Sequence, residues 1–356
     1  MRLLGLAITL FFAMIPSPVS VRDIVPVRAT QSVANDPDDP AIWINKRDPK
    51  RSLIVGTNKV KASEGGALYV FGLDGKIRQT IPNLDRPNNV DIEYGLKIGG
   101  KTIDIAVVTE RLTSRLRVFR IPADGGKLTE LSPGGLPVFA GERGEQAAPM
   151  GIALYKRPAD GAIFAIVGRK TGPKVGYLWQ YQLQDNGRGG VKATKVREFG
   201  AFSGDGEIEA IAADDALGYV YYADEGVGIR KYAADPRAQN SGRQLALFGT
   251  TGFLGDREGI AVLTRPNGTG YIVCTDQVKG SSRYFRFKRE GEPGRPHDHQ
   301  RNLGAVRGGS DETDGIEIVS TPLGPEFPDG LFVTMNSSPK NFLMFRAADV
   351  IPQMKP

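Results

Sequence analysis

Six times along its 356 residues the chain returns to one phrase: an acid, a small or branched residue, then alternating apolar residues. The copies are "DDPAIW" at Asp39, "NVDIEY" at Asp91, "IEAIAAD" at Glu209, "REGIAVL" at Glu258 and "TDGIEIV" at Asp314; "PMGIALY" carries Met150 at the acid position. The intervals are 52, 59, 59, 49 and 56 residues. Such a period marks a repeat architecture, in which each unit hides its faces against its neighbours. A second apolar run with a polar end follows each phrase: "LIVGTNK", "IAVVTER", "FAIVGRK", "VYYADE", "YIVCTDQ" and "LFVTMN". A third run follows, and in most units a weaker fourth. Runs of 4 to 8 β-branched and aromatic residues between Gly, Asp and Asn turns read as strands. Forty-five glycines and 24 prolines suit that many turns. Six units of about four antiparallel strands predict an all-β, six-bladed β-propeller. The sixth unit lacks an outer strand, so "VPVRATQSV", residues 25–33, is expected to fill that place and close the ring.

The first twenty residues have a charged start at Arg2, an apolar core and a Pro/Ser/Val tail, the pattern of a secretory signal peptide. The expected mature domain is 21–356, exported to the periplasm or secreted, monomeric, and free of the membrane once the signal is removed. Cys274 is the one cysteine, so no internal disulfide forms; it sits in an apolar run and is expected in the core. The net charge of +6 suits an anionic partner. No dense basic arm is present, which argues against nucleic acid.

In a propeller the first strand of each blade lines the central channel, and the second returns to the same mouth. Two series should therefore converge: Asp39, Asp91, Met150, Glu209, Glu258, Asp314, and Lys59, Arg111, Lys170, Glu225, Gln277, Asn336. Blades one to three bring three cations; blades four to six bring acids and amides. Asp36, Asp38, Asp256, Asp276 and Asp311 thicken the acidic part. Crowded carboxylates repel, retain protons or hold cations. His297 and His299, the only two histidines, share one turn-like stretch and are expected to be plain loop residues, so zinc or copper is poorly supported. Hard oxygen donors point to Ca2+, with Mg2+ second. Beside Lys59, Arg111 and Lys170 the natural ligand is a polyanion such as a multiply phosphorylated small molecule. There is no Walker loop, no GxSxG elbow and no cysteine in a nucleophile motif.

These residues resemble the β-propeller phytases, calcium-dependent phosphatases of the 3-phytase class acting on phytate, myo-inositol hexakisphosphate. The likeness runs from about residue 30 to about residue 350 through "DPDDPAIW", "TNK", "NNVDI", "EAIAADD", "EGI", "DGIEI" and "LGPEFPDGLFV". It implies several calcium ions, held by Asp38, Asp39, Asn89, the Val90 backbone, Asp91, Glu209, Glu225, Asp256, Glu258 and Asp314. It also implies that Lys59, Arg111, Lys170 and Gln277 bind phosphate. Direct attack by water is expected, with Glu209 or Glu258 taking its proton. Met150 and Thr171 stand where the family usually has tyrosine and glutamate, which bears on calcium number and substrate binding. A calcium-dependent propeller lactonase or esterase, and a non-catalytic polyphosphate-binding protein, are the competing readings.

Overall fold

The computed structural model describes residues 19–351. The expected signal peptide, apart from Val19 and Ser20, lies outside the described residues.

Second strands explain themselves first. Leu53–Asn58, Ile163–Arg169 and Leu331–Asn336 are buried at every position. Continuous apolar runs of this length suit strands covered on both faces. Outer strands read differently. Ile77–Pro82 alternates half-buried and exposed residues, as one wetted face requires.

Four of the blades are simple four-stranded sheets, read from the axis outward. They are blade one (Pro37–Trp43, Leu53–Asn58, Ala67–Gly72, Ile77–Pro82), blade three (Pro149–Lys156, Ile163–Arg169, Val175–Asp185, Val191–Ala201) and blade four (Ile211–Asp214, Tyr219–Asp224, Gly228–Ala233, Ala246–Phe248). The fourth such sheet is blade six: Ile316–Val319, Leu331–Asn336, Asn341–Arg346 and, from the N-terminal end, Arg28–Ala29. Blade two has Pro87–Ile98, Lys101–Glu110 and Arg115–Ile121, the last pairing with both Thr129–Glu130 and Leu136–Pro137. Blade five (Ile260–Thr264, Gly270–Asp276, Arg283–Lys288, Ala305–Arg307) carries a fifth strand, Val21–Asp23, in parallel register on its outer edge. The fold is a six-bladed, nearly all-β propeller; the one α-helix among the described residues is Ala347–Val350.

Closure occurs where the sequence places it. Arg28 pairs with Met344 and Ala29 with Leu343, antiparallel. Val27, Thr30 and Val33 add N–H bonds to Met344, Phe342 and Lys340 carbonyls. The parallel strand on blade five was not foreseen; three residues with no alternation carry no readable pattern.

Six hydrophobic clusters fill the six gaps between neighbouring blades. Cys274 lies in the one between blades four and five, fully buried as expected. At the axis the inner strands touch directly. A Cβ on Gly151 would stand 1.9 Å from the Glu209 carbonyl oxygen, and one on Gly315 would stand 2.2 Å from Asp39 Oδ1. Only glycine permits such approach.

His299 corrects an expectation. It is buried rather than a plain loop residue. Its Nδ1–H donates to the Lys288 carbonyl (2.7 Å), which leaves Nε2 to accept from Lys231 Nζ (3.0 Å). Lys231, buried in blade four, also donates to the Pro296 carbonyl (2.7 Å) and lies over the Tyr219 ring. Burial, then the Lys231 charge, lowers the His299 pKa from 6.5 to about 4. The imidazole is neutral when folded but takes a proton near pH 6.5 when unfolded. Its contribution to stability is complete above pH 6.5 and is lost as pH falls towards 4. His299→Gln keeps an acceptor for Lys231 but cannot titrate. Unfolding free energies from urea titrations at pH 7 and pH 4.5 are expected to differ less in the variant than in the wild type, by on the order of 2 kcal/mol.

Candidate active site

One backbone bond recurs in every blade and defines the mouth. The N–H at the end of each second strand donates to a carbonyl just before the first strand. The pairs are Lys59 to Asp36 (2.7 Å), Arg111 to Arg86 (3.1 Å), Lys170 to Ala148 (2.9 Å), Glu225 to Glu207 (3.3 Å), Gln277 to Asp256 (2.9 Å) and Ser337 to Asp311 (2.9 Å). Six-fold equivalence thus rests on hydrogen bonds rather than on spelling.

That register corrects the first series in two blades. The strand pairings set Pro37 opposite Asn58 and Pro40 opposite Gly56, with a bulge between. They set Pro87 opposite Glu110 and Val90 opposite Val108, and Pro149 opposite Arg169 and Ile152 opposite Val167. Asp38, Asn88 and Met150 are therefore equivalent, and they continue round the ring as Glu209, Glu258 and Asp314. Asp39 is one residue late and Asp91 three residues late. In blade six the second-series position is Ser337, not Asn336. The bulge inserts a residue that counting from the acid ignores. The proline of "DPDDP", "RPNNV" and "APMGI" would have aligned all three blades.

Asp38, Glu209 and Asp314 converge on the Lys59 ammonium. It pairs with Asp38, lies 3.2 Å from Asp314 Oδ2 and 4.0 Å from Glu209 Oε1. Burial opposes its charge, yet the three acids outweigh burial and hold its pKa well above the usual lysine value. Asp38 is pushed up by burial and by Glu209 and Asp314, against the pull of Lys59. Glu258 is raised by burial, then by the charges of Glu209, Glu225 and Asp314. Glu225 is pushed up to about 8 by burial, Glu209 and Asp256. Gln277 Nε2 donates to Asp314 Oδ1 (2.5 Å). Asn88 Nδ2 donates to Asp38, Asn89 and Glu209 and ties blades one, two and four together.

Arg111 and Lys170 complete the mouth. Burial lowers the pKa of both, and each feels the Glu209 charge. Lys170 is paired with Glu207. Met150 is wholly buried and offers its carbonyl to Thr109 Oγ1 (2.6 Å), so this side chain donates nothing to the mouth.

Asp39 and Asn89 stand just behind, with the Val90 N–H donating to Asp39 Oδ2 (3.0 Å). Asp91 lines the axial channel, a cavity of about 200 Å³ that is also lined by Asp39, Glu93, Asp215, Glu258 and Glu317. There Asp91 accepts the Leu154 N–H (2.6 Å) and burial raises it to about 7. Burial and Asp215 likewise push Glu93 to about 9.

Among the described residues no three His, Cys, Asp or Glu side chains stand ready around one point to hold a metal ion. The Lys59 ammonium takes that place. The chemistry nevertheless fits: Asn88 Oδ1 is buried with no hydrogen-bond partner, and Asp38 Oδ1, though ion-paired, accepts no hydrogen bond. Oxygen donors with raised proton affinity and unsatisfied lone pairs suit Ca2+ better than a nitrogen- or sulfur-seeking metal.

Residues 13–341 match the protein family described as Phytase. A 3-phytase of Bacillus subtilis (strain 168) is 32% identical over 301 residues, 84% of this chain and 74% of that one. Among solved structures, a protein of unknown function from Bacteroides thetaiotaomicron VPI-5482 is 12% identical with a TM-score of 0.47, covering 93% of this chain and 75% of that one. A putative 6-phosphogluconolactonase from Bacteroides uniformis ATCC 8492 is 14% identical with a TM-score of 0.46, covering 86% and 80%. Likeness at these scores adds nothing to the reading of the site.

Lys59→Met removes the counter-charge from the buried Asp38 and Glu209 and the half-buried Asp314. In excess chelator the variant is expected to lose about 3 kcal/mol in urea unfolding. An unchanged midpoint would show that the acids do not depend on the ammonium.

Proposed function

The chain belongs to the phytase family, and on that premise we propose that it is a calcium-dependent phosphomonoesterase that hydrolyses phytate to lower inositol phosphates by direct attack of water. The observation that carries this reading is the meeting of Asp38, Glu209 and Asp314 on Lys59, with Glu258, Arg111 and Lys170 in the same electrostatic field, at one mouth. Acids alone would repel a phosphate and cations alone would not need them. Together they suit a polyanion accompanied by divalent ions.

Calcium ions would be held by Asp38, Asp39, Asn89, the Val90 carbonyl, Asp91, Glu209, Glu225, Asp256, Glu258 and Asp314, and would screen the charge of the phosphate and polarise its P–O bonds. The chain's own groups do the rest. Arg111 and Lys170 orient the phosphoryl oxygens, and Lys59, once released from its acids, offsets charge on them as the bond to the inositol oxygen breaks. Gln277 adds a neutral donor. Glu258 or Glu209 takes the proton of the attacking water, for which a raised carboxyl pKa at Glu258 is apt. The ring of buried backbone around the mouth keeps these side chains in place while charge redistributes. Export after removal of residues 1–20, to the periplasm or the medium, and action as a monomer complete the proposal. Among the described residues no helix is long and apolar enough to cross a membrane.

Phosphate release from phytate is expected with added Ca2+ and is expected to vanish in excess chelator; full activity in chelator would exclude the mechanism. Glu258→Gln is expected to lower kcat by about 10²–10⁴-fold. The same change removes one repelling acid, so the ion-free variant should unfold at no lower urea concentration than the wild type. Because Glu225 retains protons up to about pH 8, adding Ca2+ at pH 7 should release protons, and calcium affinity should rise with pH. A pH-stat titration reads this directly.

A further inference from the structure

Just before each of the six residues whose N–H closes the ring at the mouth stands a buried polar one: Asn58, Glu110, Arg169, Asp224, Asp276 and Asn336. In five blades its side chain accepts from the loop that leads to the mouth. Asn58 Oδ1 takes the N–H groups of Asn35 (3.1 Å) and Asp36 (2.8 Å), and Glu110 Oε1 takes that of Asp85 (2.8 Å). Asp224 Oδ2 takes Ser203 (2.8 Å), Asp276 Oδ1 takes Leu254 and Gly255 (2.8 Å each), and Asn336 Oδ1 takes Asp311 (2.8 Å). In blades two, four and five the same acid also binds an arginine of the third strand: Arg117, Arg230 or Arg283.

Blade three reverses these charges. The arginine stands on the second strand, the third strand presents Tyr177 and Trp179, and the loop supplies the acid. Arg169 Nη1 lies 3.2 Å from Glu142 Oε1. Its Nε donates to the Tyr177 carbonyl (2.9 Å) and its Nη2 to that of Gly176 (3.1 Å). The guanidinium sits 4.8 Å from the Phe139 ring centre and 5.2 Å from that of Trp179, a desolvated setting in which a cation depends on every partner it has. Among the described residues Nη1 has no hydrogen-bond partner, so Glu142 answers it by charge alone.

This pair closes on Lys170. Phe139 and Glu142 belong to the loop whose Ala148 carbonyl accepts the Lys170 N–H (2.9 Å). Beyond Lys170 the turn folds back against the arginine stem: a Cβ on Gly172 would stand 3.1 Å from Arg169 Cδ and 3.0 Å from Tyr177 Cδ2. The loop also carries Glu145, whose charge opposes the burial that lowers the Arg111 and Lys170 pKa values. One buried cation thus fixes the chain on both sides of Lys170.

We propose that Arg169 and Glu142 form a positioning clasp, which holds the 139–148 loop and the turn after Lys170 so that the Lys170 ammonium meets substrate phosphate at the mouth. Neither residue touches the substrate; both act through Lys170. The proposal rests on the phytate reading for what Lys170 binds, and on this chain's geometry for how the lysine is held.

The test measures affinity for the non-hydrolysable polyanion myo-inositol hexakissulfate, by calorimetry on the full chain with Ca2+, and phytate turnover in parallel. Glu142→Gln keeps the shape of a half-buried side chain and removes its charge. Arg169→Lys keeps a charge and loses the fork. Each is expected to weaken hexakissulfate binding about tenfold and to raise KM by a similar factor, with kcat within twofold of wild type. The same changes made on Lys170→Met are expected to alter affinity by less than twofold, because the residue they act through is gone. An equal loss in both backgrounds, or no loss in either, overturns the clasp and leaves a pair that serves stability alone. Glu142→Gln decides the matter by itself if Arg169→Lys does not fold. A wild type that shows this coupling with hexakissulfate yet releases no phosphate from phytate sinks the proposed function and leaves the clasp standing. A wild type that binds no hexakissulfate sinks both.

Discussion

When six inner strands are packed around an axis, their first residues become neighbours regardless of how far apart they lie in the chain. Asp314 and Lys59 are separated by 255 positions and touch. Whatever side chains occupy those strand ends are forced into one another's electric field, in a place where burial strips away the water that would screen them. Here four of the six are acids. Burial first, and then their mutual repulsion, raises the proton affinity of Asp38 and Glu258, while the Lys59 ammonium opposes the rise.

The ring is not electrically symmetric. Blade two presents arginine at two successive ring positions, and blade three presents Met150 and Ala148, which carry no charge, beside Lys170. Blades four and five present acids at both inner positions. On the proposed function, an anionic substrate would have one side on which to rest and another it would approach in the company of divalent ions. The asymmetry requires no departure from the repeat: the backbone bonds at the mouth are the same in all six blades, and the side chains alone differ. A scaffold that is regular in its main chain can carry a site that is irregular in its charges.

The architecture was legible in the sequence because buried strands must be apolar and must recur at a nearly constant interval. The closing strand was legible because one blade was visibly short of an edge. Register was not. Asp39 and Asp91 look equivalent to Glu209 when counting starts from an acid, whereas the bulges after Pro37 and Pro87 shift the true partners to Asp38 and Asn88. A bulge leaves little trace in a single sequence, though the shared proline hints at it. The burial of His299 depends on Lys231, 68 residues away, a contact that no local pattern announces.

The two ends of the described chain are woven together: residues 21–23 lie on blade five and residues 28–29 on blade six, against partners near positions 305 and 344. Ribosomal synthesis runs in one direction, so the earliest of these segments must wait, unpaired, for the latest. Until the final blade arrives Asp38 and Asp314 belong to opposite horns of an open crescent, and the crowded mouth does not exist. An incomplete molecule thus lacks the gathering of Asp38, Glu209 and Asp314 on Lys59, which comes into being only at the moment the circle shuts.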